Sequence, residues 1–197
     1  MEIGDALASV NTVVYGYTVM TDQLSAQDWL ELGLKTLATR GFQALKAEPL
    51  AKAMGVSRGS FYWHFADIGA FHAAILQAWR EVAAEAIIAQ VEAASAGDDP
   101  LTVLLQRVFS EKLALERAVR NWAAFDAAAR NAVQAIDRRR LDYVESLIRG
   151  RGVAPDVAQA RAQILYWAFL GYALSDKPLP KAQREAAVAE LVRIATL

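Results

Sequence analysis

Cysteine is absent from the 197 residues, and histidine occurs only at His64 and His72. The first absence removes disulfides, thiol nucleophiles and thiolate metal sites, and it agrees with a reducing cytoplasm. The scarcity of histidine leaves no pair of imidazoles at a ligand spacing, so no transition-metal centre is expected. There is no glycine-rich phosphate loop, no G-x-S-x-G elbow and no paired-carboxylate motif. An enzyme is therefore not expected, and neither is a resident cofactor. Long apolar runs are missing too: no segment approaches the ~18–20 apolar residues of a membrane helix. The weakly apolar stretch 6–20 lacks the basic flank of a secretory signal, so a cytoplasmic protein is expected. The formal net charge is only −1. Bulk charge thus cannot hold nucleic acid, and any DNA affinity needs a local patch with defined geometry.

What is present is a chain of helices. Residues 1–24 stand apart, with Glu2, Asp5 and Asp22, no Lys or Arg, and no helical period. They read as an N-terminal extension, with Met20 a candidate translation start, and the missing bases argue against a minor-groove arm. A first helix opens at Ser25, where Asp28 supplies a capping-box partner. Trp29, Leu32, Gly33, Thr36 and Leu37 give it one apolar stripe, and Gly41 ends it. A second helix runs from Lys46 or Ala47 to Met54 with Pro49 in its first turn, and a third reaches Phe65. Asp67 caps the fourth. That helix is expected to run unbroken to about Ala96, with Phe71, Ile75, Trp79, Val82 and Ile88 inward, until Gly97-Asp98-Asp99-Pro100 breaks it. Leu101–Phe125 reads as two helices or one bent helix. Helices at Ala127–Arg149, Pro155–Ser175 and Lys181–Ala195 complete the chain. The fold class is all-α: a three-helix unit over 25–68, then a helical bundle over 69–197.

The most informative stretch is Leu50–Phe65, LAKAMGVSRGSFYWHF. Gly55 suits the left-handed turn that stops one helix, Val56 plugs the angle, and Ser57 is placed to cap the next. Phe61 and Phe65 face inward at i, i+4, while Arg58, Gly59, Ser60, Trp63 and His64 face out. This is a helix-turn-helix, whose second helix enters the major groove by its N-terminal residues.

With Gly41-Phe42, Leu50-Ala51, Met54-Gly55-Val56-Ser57, Gly59-Ser60-Phe61-Tyr62, His64-Phe65 and Phe71 on the page, the sequence resembles the tetracycline-repressor (TetR) family of bacterial transcription regulators. The resemblance covers residues 25–71 in motif and the remainder only in helix order. It implies a homodimer on a palindromic double-stranded DNA operator, commonly a repressor released by a small molecule. It also implies that Ser57, Arg58, Gly59, Ser60 and Trp63 meet base edges or adjacent backbone, and that Tyr62 and His64 touch phosphate. Arg58 can fork onto guanine O6 and N7, or be a solvated charge; Trp63 can stack on sugar or a thymine methyl, or pack on helix one; and His64 can instead be a core or helix-capping histidine. Two positions depart from the family's pattern. Ile68 stands where a basic residue usually follows the acidic cap of helix four, and Lys46 stands where Ser or Thr usually caps helix two. Lysine cannot accept from free N–H groups, so Lys46 is expected to take over part of the phosphate grip instead.

In the second half, residues 164–174 are apolar nearly all round, and the last helix carries Val188, Leu191, Val192 and Ala195 on one stripe. Pairing of these two helices with a partner's pair would give an isologous homodimer; an intrachain core is the competing explanation. Trp79, Phe109, Trp122, Phe125, Tyr143, Tyr166 and Trp167 are candidates to line a cavity for a small hydrophobic or aromatic effector, or else ordinary core. Arg117, Arg120 and Asp126 can orient a ligand if they face inward but are expected at the surface, as is the Arg138-Arg139-Arg140 run. The alternative function is a ligand-independent architectural or cell-cycle DNA-binding protein. A filled second-half core would favour that alternative; a void of several hundred Å3 would favour the sensor.

Overall fold

The computed structural model describes residues 24–94, 97–110, 113–177 and 179–196. The expected extension 1–24, and with it Met20, falls almost wholly outside the described residues. Among those residues the chain is helical with no strand: α1 (Ala26–Arg40), a 3-10 turn (Phe42–Ala44), α2 (Ala47–Ala53), α3 (Arg58–His64) and α4 (Ile68–Arg80). A π-helical turn (Glu81–Glu85) joins α4 to α5 (Ala86–Glu92). Then follow α6 (Pro100–Ser110), α7 (Ala114–Ala123), α8 (Ala127–Arg149), α9 (Pro155–Leu174) and α10 (Lys181–Thr196).

Short polar side chains start these helices by accepting from otherwise unpaired N–H groups. Ser25 and Asp28 form the expected capping box: Ser25 Oγ accepts from the Asp28 N–H at 3.3 Å, and Asp28 Oδ2 accepts from the Ser25 N–H at 2.7 Å. The Ser25 hydroxyl, which also donates to Asp28 Oδ2 at 2.7 Å, and then the Ser25 N–H hold the Asp28 carboxyl below its usual pKa. Asp67 accepts from the Ala70 N–H at 2.7 Å, Asp126 from the Ala129 N–H at 2.8 Å, and Asp99 from the Thr102 N–H at 2.9 Å. Asp126 thus serves the start of α8.

The fourth helix differs from the unbroken one expected. It slips into π register at Glu81–Glu85, and the helical run stops at Glu92. A π turn inserts one residue and rotates the face that follows. Val82, expected inside, is about half exposed, whereas Ala84 and Ile88 are buried. Leu101–Phe125 resolves into two helices, α6 and α7, with Leu113 preceding the second.

Two apolar clusters hold the molecule. The first joins Trp29, Leu37, Leu50, Phe61, Phe71, Ile75 and Trp79 to Val119, Trp122, Ala129, Val133 and Ile136. It therefore does not stop at the end of the three-helix unit, but passes through α4 into α7 and α8. Each such side chain contributes ~1.5–3 kcal/mol of burial. Helices α1 and α4 approach closely at Gly33, where an added Cβ would stand 2.4 Å from Ile75 Cδ1 and 2.7 Å from Phe71 Cζ. The second cluster gathers α5, α6, α8, α9 and α10 around Leu101, Leu105, Ile148, Leu165 and Ala173.

Candidate DNA-reading surface and effector cavity

The turn between α2 and α3 is a Schellman ending. Gly55 takes φ +70°, its N–H donates to the Lys52 carbonyl at 3.2 Å, and the Val56 N–H reaches back to the Ala51 carbonyl at 3.0 Å. Phe61 then anchors α3: it is fully buried, edge-on to Trp29 at a centroid distance of 5.3 Å and to Phe71 at 5.2 Å. With Phe61 and Phe65 inward, Arg58, Gly59, Tyr62 and Trp63 are exposed, and Ser60 and His64 are half-buried. Trp63 is 79% exposed, which rules out the alternative that it packs on α1. Arg58 lies back along the helix, its Nη2 donating to Tyr62 Oη at 2.8 Å and its guanidinium 5.3 Å from that ring's centroid.

One expectation fails here. Ser57 occupies the N-cap position of α3 with extended backbone, but its side chain accepts no capping hydrogen bond. The Ser57 carbonyl instead takes the Ser60 N–H at 3.1 Å, and the exposed hydroxyl is left to solvent. Lys46 precedes α2 without a side-chain cap, as its chemistry requires, and is exposed. His72 lies behind this unit, with Nε2 3.0 Å from the Leu45 carbonyl oxygen. A carbonyl only accepts, so that nitrogen carries the proton.

The second feature is a cavity of about 430 Å3, open to solvent on one side and lined by α4, the π turn, α5, α6, α7, α8 and α9. Trp79, Tyr143 and Tyr166 line it, along with Ile88, Leu105, Leu165 and Phe169. The other aromatic candidates lie elsewhere. Phe109 is buried beside Phe169 and Tyr172 in the second core and does not line the cavity. Trp122 stacks on Phe42 at 4.5 Å in the first core. Phe125 is 61% exposed at a separate groove by the 3-10 turn, next to Phe42. Trp167 is 63% exposed on the outer face of α9.

Charged residues expected at the surface prove to be internal. Arg140 Nη1 and Nη2 donate to Glu116 at 3.0 and 2.9 Å, and its Nε and Nη2 donate to the Ala83 carbonyl of the π turn at 3.3 and 3.0 Å. Arg120 donates to Glu116 at 2.7 Å, to Asp137 at 2.6 and 3.2 Å, and to Tyr166 Oη at 3.0 Å. Tyr166 in turn donates to Asp137 at 2.5 Å. The Glu116 side chain is 4% exposed, those of Arg120 and Arg140 14%. Burial on its own would lower both guanidinium pKa values. The carboxylates more than offset it, through the hydrogen bonds Arg120 donates to Asp137 together with the Glu116 charge, and at Arg140 chiefly through the Glu116 charge, so both pKa values lie above the usual arginine range. Burial pushes the Tyr166 phenol up to about 12. Arg139 does lie outward, half-exposed and paired with Glu85. Arg117 donates to the Ala173 carbonyl at 3.1 Å near the end of α9.

Glu116 and Arg140 are the wall residues that sequence reading missed. A signal existed. Consecutive residues on a helix are about 100° apart, so three arginines in a row span about 200° and the register with neighbouring apolar residues decides which of them turns inward. Arg140 falls in line with Ile136, Tyr143 and Val144, all buried.

Comparison with known proteins agrees with this geometry. Residues 30–75 match the family model of bacterial regulatory proteins of the tetR family. No curated protein matches the chain in sequence. Among solved structures, a TetR-family transcriptional regulator from Rhodococcus sp. superposes with a TM-score of 0.67 at 17% identity, covering 90% of this chain and 100% of its own. A transcriptional regulator from Saccharomonospora viridis, solved with choline, gives 0.68 at 13% identity over 85% and 95%. The multidrug binding protein EbrR, solved with imidazole, gives 0.58 at 22% identity over 86% and 93%. No helix among the described residues is long and apolar enough to cross a membrane. The helix-turn-helix region at residues 30–75 is thus similar to that of the tetR family of bacterial regulatory proteins, and the chain as a whole shares the all-helical fold of the solved regulators.

Proposed function

We propose that this protein is a repressor that binds a palindromic operator as a homodimer and lets go when a small, largely apolar molecule enters the cavity. The observation that carries the DNA reading is the division of α3. Phe61 fastens one side into the core, while Arg58, Tyr62 and Trp63 stand exposed on the other. An exposed arginine at the first position of this short helix and an exposed tryptophan near its end suit base edges and sugar-phosphate, with Lys46 at the opposite rim for phosphate. Support for the dimer comes from α9, whose outer face carries Val157, Ile164, Trp167 and Leu174 exposed at helical spacing. An apolar face of that kind on a surface helix suits an isologous interface. The effector reading is favoured over the ligand-independent one by the cavity, since a void of this size with mostly apolar walls falls in the range of small-molecule sites. Two proteins of similar fold were solved with small molecules, choline in one and imidazole in the other.

Selection of bound sequences from random duplex DNA tests the reading. The expected product is a palindrome with half-sites at least one turn apart, ~34 Å, and it is lost with Arg58→Ala. Recovery of no preferred sequence at moderate salt would overturn it.

A further inference from the structure

The effector reading leaves open what kind of molecule the cavity takes, and the charges in its wall narrow the choice. Glu116 and Arg140 are the buried ionised groups on that wall, and neither has charge to spare. Glu116 accepts from both Arg120 and Arg140, and Arg120 is shared onward with Asp137. The four side chains hold two positive and two negative charges. Arg140 is further committed to the Ala83 carbonyl of the π turn. A ligand bringing its own charge would leave one charge without a counter-charge against mostly apolar walls, which is costly. The remaining polar lining residues, Gln90 and Arg107, sit at the exposed edge.

Inside, the two phenols differ. Tyr166 Oη is engaged on both sides, accepting from Arg120 and donating to Asp137. Tyr143 lines the cavity, and its hydroxyl is shielded from water and has no hydrogen-bond partner among the described residues, so a ligand group must move in against it to pair. Burial raises its pKa, so the group stays neutral. A buried hydroxyl without a partner is destabilising until something pairs with it.

We propose that the cavity selects an uncharged ligand, an apolar body bearing a hydroxyl or carbonyl group that pairs with Tyr143, and rejects carboxylates and organic cations of the same shape. The inference rests on the cavity being the effector site and names the class of molecule that fits it.

Calorimetric titration of the full-length chain near neutral pH with three matched probes tests it: β-naphthol, β-naphthoate and (β-naphthylmethyl)trimethylammonium. β-Naphthol is expected to bind about tenfold or more tighter than either ion. An ion binding as tightly as β-naphthol overturns the charge exclusion. Binding by none of the three overturns instead the reading of the cavity as an effector site, so the two failures are distinct. Two variants sharpen the test. Glu116→Gln leaves Arg140 short of its counter-charge, and β-naphthoate should then gain about tenfold relative to β-naphthol. Tyr143→Phe should weaken β-naphthol about three- to tenfold while leaving the melting temperature unchanged or raised. An unchanged affinity removes Tyr143 from the proposal.

Discussion

Helices α1–α4 and helices α5–α10 are built by different rules. In the first group the turn and the outward face of α3 are set by near neighbours in sequence, Gly55 to Lys52, Phe61 to Phe65 and Arg58 to Tyr62, with Phe61 anchored on the more distant Trp29. In the second they join distant segments, as Arg120 does with Tyr166 across 46 positions and Arg140 with Ala83 across 57. The first is a rigid apolar wedge presenting polar tips. The second surrounds a void with a buried ion network on its wall. The difference teaches that the proposed DNA-reading surface is shaped largely by local turn and packing chemistry, whereas the cavity is built by segments from the whole bundle. Arg140 links the two halves, because its hydrogen bonds to Ala83 grip the π turn that continues α4.

The comparison can be broken most severely at Phe61. Phe61→Ala removes the anchor of α3 and should cost ~3–5 kcal/mol of unfolding free energy in denaturant titration, abolishing DNA binding with it. On the other side, Arg140→Ala should cost ~3 kcal/mol by breaking a buried pair, and pairing it with Glu116→Leu should recover much of that loss. Recovery in the double variant separates an electrostatic role for the pair from simple packing. Trp167→Glu on the outer face of α9 should weaken self-association by ~2 kcal/mol or more in sedimentation equilibrium and leave the monomer's helical content unchanged. Gly33→Ala forces a Cβ against Ile75 and Phe71. The overpacking, ~1–3 kcal/mol, outweighs the helix-propensity gain of ~1 kcal/mol, so the melting temperature should fall slightly. Smallest is Lys46→Ala, which should lower the salt slope of operator binding by ~0.9 with little change in stability.

Legibility from sequence follows the same division. The capping box at Ser25 and Asp28, the turn at Gly55 and the inward Phe61 were readable because each is a short-range pattern with a single physical solution. Ser57 was readable as a helix start but not as an unused cap, since a hydroxyl with solvent available has no obligation to bond the backbone. The π turn at Glu81–Glu85 left no mark among good helix formers, and it carried Val82 outward. Of the seven aromatics offered for the cavity, Trp79, Tyr143 and Tyr166 line it. Phe125 and Trp167 do not, because helical spacing locates a face without saying which neighbour, if any, covers it. The arginine run concealed Arg140 for the converse reason: composition suggested solvent, while its register with Ile136 and Tyr143 pointed to the core.

The central claim is that the exposed side of α3 reads sequence. Fluorescence-anisotropy titration of the protein against its selected palindrome and a scrambled duplex, at one moderate salt concentration, tests it most directly. The account predicts a preference of roughly a thousandfold or more for the palindrome, collapsing toward the scrambled value in Arg58→Ala. Equal affinity of the wild-type protein for both duplexes would contradict it.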